Sequence, residues 1–191
     1  MAYIKVVRLG KWVYKNRGRR QIMKSAVLAL VTREEKGRPY LLLGKKGNAE
    51  MGTGLLNGPG GKVEHGETIL QALAREVYEE AGVYVLGSCC EIVAIVDCFS
   101  QADGHYMRVM VYSTSSYSGT PRDTDTMTDF GWYNLYALPY ERMHDGDRHW
   151  LPYVLDGHKC LVKLHFQSKG EGYISHKIEA LPSSLIGLTH A

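Results

Sequence analysis

The feature that most constrains the fold is a glycine-rich turn followed directly by an amphipathic segment, in residues 58–83. Apolar residues in this segment fall within an arc of about 100° when successive residues turn by about 100°. These residues are Leu70, Leu73, Ala74 and Val77. Gly82 follows them where a left-handed glycine commonly ends a helix. The spacing therefore predicts a helix over residues 67–81 with one apolar face.

Acidic residues cluster on another side of this predicted helix. Glu76, Glu79 and Glu80 share one face, and Arg75 precedes Glu79 by four residues, within reach of its carboxylate. Like charges at this spacing repel, so a solvated charged face and a bound divalent cation are the two interpretations. Because every donor is an oxygen atom, the pattern favours Mg²⁺ or Mn²⁺ over zinc.

The turn that precedes the helix reads Gly58-Pro59-Gly60-Gly61. Glycines at this place let the backbone approach a metal ion or phosphate groups closely, where side chains would obstruct. A cation held beside a polyphosphate offsets its charge and activates a bound water. The turn and the carboxylates together indicate hydrolysis of a phosphoanhydride.

The whole segment resembles the Nudix box, Gly-x5-Glu-x7-Arg-Glu-U-x-Glu-Glu-x-Gly-U, in which U is aliphatic. The matching residues are Gly61, Glu67, Arg75, Glu76, Val77, Glu79, Glu80, Gly82 and Val83. The resemblance implies an α+β Nudix fold, an α/β/α sandwich around a mixed β-sheet. It also implies that the three clustered carboxylates bind the metal, with the Gly61 carbonyl as a further ligand, and that Glu67 and Arg75 brace them.

The rest of the chain is dominated by β-rich apolar runs between polar or Gly/Pro loops. Strands are predicted at residues 3–9, 11–15, 24–32, 40–44, 90–99, 106–113, 129–134, 160–166 and 173–178. Residues 45–66 are predicted to form a loop. A second helix is predicted over residues 147–156, and Pro152 must lie in its first turn or kink it.

Charge is distributed unevenly along the chain. Residues 1–20 contain seven basic and no acidic residues, which leaves 16 basic and 20 acidic residues in 21–191. We expect a basic extension at residues 1–21 that forms a β-hairpin, a Nudix hydrolase domain at 22–180 and a tail at 181–191. An acidic body with a basic leader suits a metal-dependent enzyme better than a DNA-binding domain.

The four cysteines show neither a CxxC pair nor zinc-like spacing, which predicts reduced, mostly buried thiols. Thiols of this kind indicate a reducing compartment. The sequence has neither an apolar run of about 18 residues nor a secretory signal. We therefore expect a cytoplasmic protein without membrane contact, and the sequence leaves its oligomeric state open.

Outside the box, four short motifs resemble the MutT-like branch that hydrolyses oxidised purine nucleoside triphosphates such as 8-oxo-dGTP. They lie at residues 42–46, 52–63, 119–121 and 143–152. Carried over by position, Asn57 and Asp147 bind the purine edge, Met127 lies against the base, and Lys45 and Lys46 contact phosphates. A turn Asn, a helix cap, a core Met and surface lysines are the simpler interpretations of the same residues.

Several positions depart from that branch. Gly146 stands where the first of two adjacent acids is expected, and Met51, Leu56 and His144 replace aromatic residues. A carboxylate that some members supply from outside the box aligns with Thr126. Nearby acids that could substitute for it are Asp123, Asp125 and Asp129. These differences predict a rebuilt base pocket beside an intact hydrolytic site.

The sequence predicts a Mg²⁺-dependent pyrophosphohydrolase. It would cut a nucleoside triphosphate, preferably one with an oxidised or noncanonical purine, to the monophosphate and pyrophosphate. The first alternative is the same chemistry on RNA 5′ ends, with the basic leader following the RNA backbone, or on another Nudix substrate such as ADP-ribose. Nucleic acid is a partner only in the RNA case. The second alternative is a non-catalytic Nudix binding module, which usually lacks box carboxylates, whereas none is missing here.

Overall fold

The computed structural model describes residues 3–7, 11–16, 19–47, 52–102, 104–168 and 171–186. Within these residues the strands are β1 (Tyr3–Val7), β2 (Lys11–Asn16), β3 (Arg19–Glu35), β4 (Arg38–Lys46), β5 (Leu56–Asn57), β6 (Tyr84–Val85), β7 (Glu91–Ser100), β8 (Gly104–Thr114), β9 (Tyr117–Ser118), β10 (Met127–Asn134), β11 (Cys160–Ser168) and β12 (Glu171–Ala180). The α-helices are α1 (Ile69–Ala81), α2 (Asp147–Leu155) and α3 (Ser183–Ile186).

Ten of these strands form one mixed sheet in the order β1-β2-β3-β8-β7-β11-β12, and β4 joins β3, β5 and β10 beside this path. The pairs β3–β8 and β7–β11 are parallel, whereas β7–β8 and β11–β12 are antiparallel. The basic leader contributes β1 and β2, which pair antiparallel, and β2 pairs with the start of β3. Strands β6 and β9 form a separate pair.

The central strand β3 separates two apolar layers, because successive side chains point to opposite faces of a sheet. Ala26 and Leu30 pack in the layer that contains α2, whereas Val27, Ala29 and Val31 pack in the layer that contains α1. The helices contribute Ile69, Ala72, Leu73 and Val77 from α1, and Trp150, Leu151 and Val154 from α2. A helix therefore covers each face of the sheet, which confirms the predicted α/β/α sandwich.

A buried ion pair fixes the register of β7 and β8. Arg108 Nε donates to Asp97 Oδ1 and Arg108 Nη2 donates to Asp97 Oδ2, both at 2.7 Å. The two residues are directly opposite in the ladder and almost completely buried. Because side chains alternate along a strand, their neighbours Cys98 and Met107 point to the other face of the sheet, in the layer of α2.

Both predicted helices form, with shifted limits. The first begins at Ile69 and not at Glu67, because the Thr68 hydroxyl accepts the Gln71 amide N–H and the Gln71 side chain accepts the Thr68 N–H. Gly82 ends it in the left-handed conformation, as predicted. Pro152 lies inside the second helix and not in its first turn.

The predicted strands are present, and most extend beyond their predicted limits. The short strands β5, β6 and β9 were not predicted, and β5 lies within residues 45–66, where only a loop was expected. Residues 8–9 of the first predicted strand lie outside the described residues. The division of the chain into extension, domain and tail therefore stays a prediction.

The glycine-rich turn lies directly along β3. Val27 N–H donates to the Gly61 carbonyl at 2.8 Å, and Ala29 N–H donates to the Pro59 carbonyl at 2.9 Å. A Cβ atom on Gly58 would lie 2.3 Å from the Ala29 carbonyl oxygen, and one on Gly60 would lie 2.3 Å from that of Val27. The close approach predicted for this turn is therefore made to the backbone of β3.

We expect Gly60→Ala to lower the free energy of unfolding by about 1–3 kcal/mol or more, because its methyl group would collide with backbone that cannot turn away. Gly131→Ala is the control, since its Cβ would meet only the movable Tyr133 side chain, at 3.1 Å. Urea denaturation of both variants measures the difference. Equal stability of the two variants would contradict the assigned packing.

Candidate active site

Helix α1 presents its carboxylates because the opposite side of the helix is fixed in the core. Ile69, Leu73 and Val77 are at most 4% exposed and anchor α1 to the sheet. The capping box at the start and the left-handed Gly82 at the end set the helix limits. The acidic face predicted from the periodicity is therefore held above the glycine-rich turn.

Arg75 connects the acidic residues of the box. Its guanidinium donates to both carboxylate oxygens of Glu67, at 3.0 and 2.7 Å. It also donates to Glu76 and Glu79, each at 3.0 Å, and to the Lys62 carbonyl at 3.0 Å. The predicted contact with Glu79 is present, and the same guanidinium holds two further carboxylates.

Glu80 is held by a separate set of contacts. Its carboxylate accepts the Gly60 amide N–H at 2.7 Å and the Lys46 ammonium at 3.2 Å. The same ammonium donates to the Gly60 carbonyl at 2.6 Å. Lys46 and the glycine-rich turn therefore orient Glu80, which is buried.

Glu76 lies against the last glycine of the turn. A Cβ atom on Gly61 would lie 2.5 Å from both carboxylate oxygens of Glu76, so a side chain at position 61 would displace that carboxylate. Burial raises the pKa of the Glu76 carboxyl, and the nearby Glu80 charge raises it further, while Arg75 and Lys46 act in the opposite direction. Glu76 and Glu80 are thus close enough to repel each other.

The box residues fit a hard divalent cation in donor chemistry, although cationic side chains neutralise them in this structure. Among the described residues, no three His, Cys, Asp or Glu side chains converge as a ligand set. Arg75 binds Glu76 and Glu79, and Lys46 binds Glu80. The carboxylates still supply oxygen atoms as metal ligands, and Gly61 beside them has no side chain to obstruct an ion. Mg²⁺ prefers oxygen ligands of this kind.

A cavity of about 230 Å³ opens beside the box. Its lining includes Lys46, Gly60, Gly61 and Glu80 at the glycine-rich turn and α1, and also Asn57, His144, Asp147 and Trp150. Apolar residues of the central strands and β11 form the wall, among them Val96, Met107 and Leu164. One cavity therefore brings the box together with the two residues expected at a purine edge.

Asn57 and Asp147 keep hydrogen-bonding capacity in this cavity. The Asn57 side-chain oxygen accepts the Gly58 N–H at 2.9 Å, as a turn Asn does, and its Nδ2 has no partner among the described residues. Asp147 Oδ1 accepts the Trp150 indole N–H at 3.1 Å. Burial raises the pKa of the Asp147 carboxyl, while the attraction of His144 and the Trp150 hydrogen bond act against that rise.

Other expected site residues lie elsewhere in the structure. Met127 is fully buried in β10 and does not line the cavity, so its predicted contact with a base has no support here. Lys45 is exposed on β4, outside the cavity. The three acids considered as an additional carboxylate are also exposed and line no part of the cavity; they are Asp123, Asp125 and Asp129.

The departures from the MutT-like pattern have different structural consequences. A Cβ atom on Gly146 would lie 2.7 Å from Leu164 Cδ1, so Leu164 takes the space where an acidic side chain would begin. Leu56 is buried in the core. His144 lines the cavity, and Met51 lies outside the described residues. The sequence marked these positions as changed but did not predict which of them face the cavity.

The cysteines are free thiols, and three of the four are buried, as predicted: Cys90, Cys98 and Cys160. Cys98 lines the cavity, and burial raises the pKa of its thiol to about 12. Among the helices in the described part of the chain, none has the length and apolar character needed to cross a bilayer.

Comparisons with known proteins agree with the box. A family model described as NUDIX domain matches residues 23–154. The chain is 31% identical over 155 residues to the oxidized purine nucleoside triphosphate hydrolase of Danio rerio, covering 81% of this chain and 95% of that protein. It is also 31% identical over 129 residues to the Mus musculus protein of that name, covering 68% and 80%.

A solved structure shares the fold. The MutT protein from Bacillus halodurans superimposes with a TM-score of 0.66 at 20% identity, covering 84% of this chain and all of that one. At this identity the likeness concerns the fold alone.

We expect Arg75→Gln to lower the free energy of unfolding by about 1–2 kcal/mol near pH 7 in EDTA, because three carboxylates lose their shared partner. Arg75 holds the pKa of Glu67 below its ordinary value, so this stabilisation is present above about pH 4 and disappears as the pH falls further. The difference from wild type should therefore shrink in acid.

Urea denaturation at several pH values measures this difference, with exposed Arg142→Gln as the matched control. If the loss of unfolding free energy in Arg75→Gln did not depend on pH, the ion pair with Glu67 would not be its cause.

Proposed function

Because the chain belongs to the Nudix family, whose hydrolases act on phosphorus-containing anhydrides, we propose that it hydrolyses nucleoside triphosphates to the monophosphate and pyrophosphate. Its preferred substrates are oxidised or noncanonical purines, such as 8-oxo-dGTP. Residues 22–180 carry this activity. Reduced, mostly buried cysteines support a reducing compartment such as the cytoplasm.

The observation that carries the proposal is one cavity whose lining includes residues of the box and of α2. Lys46, Glu80, Asn57 and Asp147 all line it, and we assign the phosphate end to Lys46 and Glu80 and the base end to Asn57 and Asp147. A nucleoside triphosphate has the same polarity, with a charged polyphosphate at one end and a hydrogen-bonding base at the other. The cavity therefore supports a nucleotide bound with its phosphates at the box.

At the phosphate end we assign metal binding to Glu76, Glu79 and Glu80, with the Gly61 carbonyl as a further ligand. Nudix hydrolases generally use divalent metals such as Mg²⁺. When bound, such a cation offsets polyphosphate charge and lowers the pKa of a coordinated water. The Gly61 oxygen accepts Val27 N–H and retains a second lone pair for a ligand.

The other box residues orient these donors. Arg75 holds the Glu76 and Glu79 carboxylates in place, and Glu67 fixes the Arg75 guanidinium by two hydrogen bonds. Lys46 adds a positive charge at the box end, where it attracts phosphate oxygens. Donors held in advance in this way need little rearrangement as charge develops during the reaction.

At the base end, we assign recognition to Asn57 and Asp147. An amide donates and accepts at once, so Asn57 suits the mixed edge of a purine. A wrong base would leave these groups unpaired inside the cavity, which costs more than the loss of an apolar contact. Because position 146 is glycine, more of the discrimination falls on Asp147.

The alternatives have less support. The intact box argues against a non-catalytic module, because every charged position needed for the chemistry is present. RNA 5′ ends and ADP-ribose fit the box equally well. They lack the second support given by relatives named for oxidised purine nucleoside triphosphates, which cover most of this chain.

Incubation with 8-oxo-dGTP, dGTP, dATP and dCTP should yield monophosphate and pyrophosphate, with the oxidised purine turned over most efficiently. Turnover should require Mg²⁺ or Mn²⁺ and stop in EDTA, because the carboxylates need a cation to act on the polyphosphate. Separate assays for pyrophosphate and inorganic phosphate identify the bond that is cut. Release of inorganic phosphate from a triphosphate in EDTA would contradict the proposal.

Glu80→Gln should lower kcat at least about a hundredfold while the fold survives, because the amide keeps the shape but loses the charge of a metal donor. Exposed Glu141→Gln is the control and should retain wild-type turnover. Steady-state kinetics and thermal unfolding of both variants test this. Wild-type turnover by Glu80→Gln would rule out its assignment as a metal ligand.

A further inference from the structure

We propose that His144 is a specificity-determining residue, whose imidazole supplies a third hydrogen-bonding group to the purine at the base end of the cavity. This inference rests on the proposed function and adds a residue to its recognition site. It concerns a position where the MutT-like pattern has an aromatic residue and this chain has a titratable ring.

The first support is the position of His144 in the cavity wall. It shares the base end with Asn57, Asp147 and Trp150. It is half-buried, and neither of its ring nitrogens has a protein hydrogen-bond partner among the described residues. A neutral imidazole offers one donor and one acceptor, and because Nε2 packs against Gly52, Nδ1 is the nitrogen left for a ligand.

The second support is the contact that holds the ring in place. A Cβ atom on Gly52 would lie 2.3 Å from His144 Nε2 and 2.8 Å from Cε1, so the ring lies directly against the Gly52 backbone. Gly52 also has a φ of +76°, which L side chains rarely adopt. The ring therefore has a wall behind it, and the loop before β5 forms that wall.

The third support is the set of residues close to His144. Position 146 is glycine, and Leu164 fills the adjoining space. Asp147 and His144 attract each other electrostatically, which places the imidazole near the remaining carboxyl. Three polar side chains thus surround the base end: an amide, a carboxyl and an imidazole.

Two substitutions separate hydrogen bonding from packing. His144→Phe keeps a planar ring and removes both nitrogens, whereas His144→Asn keeps a donor and an acceptor on a shorter side chain. We expect His144→Phe to lower kcat/KM for the preferred purine triphosphate at least about tenfold, mainly by raising KM. The kcat/KM for dCTP should change less than about twofold. His144→Asn should recover much of the purine preference.

A matched glycine pair tests the contact without changing the histidine. Gly52 and Gly54 both have positive φ, +76° and +83°, but a Cβ atom on Gly54 meets nothing within 4 Å. Gly52→Ala should therefore reduce the purine preference more than Gly54→Ala. When His144 is also replaced by alanine, Gly52→Ala should reduce the purine preference no more than Gly54→Ala does, because the imidazole that the new methyl group would strike is absent.

The outcomes separate this inference from the proposed function. If the wild-type enzyme releases pyrophosphate from no purine triphosphate, the proposed function fails and this inference fails with it. If purines are hydrolysed and His144→Phe keeps the wild-type purine preference, only the role of His144 is overturned. Should thermal unfolding show that His144→Phe does not fold, equal purine preference of Gly52→Ala and Gly54→Ala would overturn that role.

Discussion

The close approach of the glycine-rich turn to β3 is the constraint on which the rest of the site depends. The turn pairs with the strand through backbone hydrogen bonds, and Gly58 and Gly60 leave no room for a side chain. Because residues of β3 pack in both apolar layers, the turn is tied to a strand that is anchored on both faces of the sheet. Glu80 binds the Gly60 N–H, and Glu76 lies against Gly61, so α1 is aligned to the same strand.

The parts of the site that could be predicted from sequence are those set by short-range geometry. Helical spacing is enough to place Glu76, Glu79 and Glu80 on one face, and a spacing of four residues brings Arg75 to Glu79. The contact between Lys46 and Glu80 joins residues 34 positions apart, so no local pattern contains it. Asn57 and Asp147, which the resemblance assigns to the purine, line one cavity, whereas the burial of Met127 away from it depends on how β10 pairs with β4.

The base end shows how neighbouring substitutions compensate for one another. Where an acidic side chain is absent at Gly146, Leu164 fills the space and keeps the wall closed. Where an aromatic residue is absent at position 144, a smaller ring lies against Gly52. At both positions the side chain that is present packs against a neighbouring residue, so the polar groups of the wall differ from the MutT-like pattern while the wall itself stays packed. Tolerance of this kind allows specificity to diverge while the box stays intact.

The thiol of Cys98 gives the cavity a chemical property that its shape does not reveal. The reactive form of cysteine is the thiolate, and burial holds the pKa of this thiol at about 12, so almost all of it is protonated near neutral pH. An electrophile that enters the cavity therefore meets the thiol, which is the less nucleophilic form of cysteine. Near neutral pH the cavity wall at Cys98 therefore behaves as an apolar surface and not as a nucleophile.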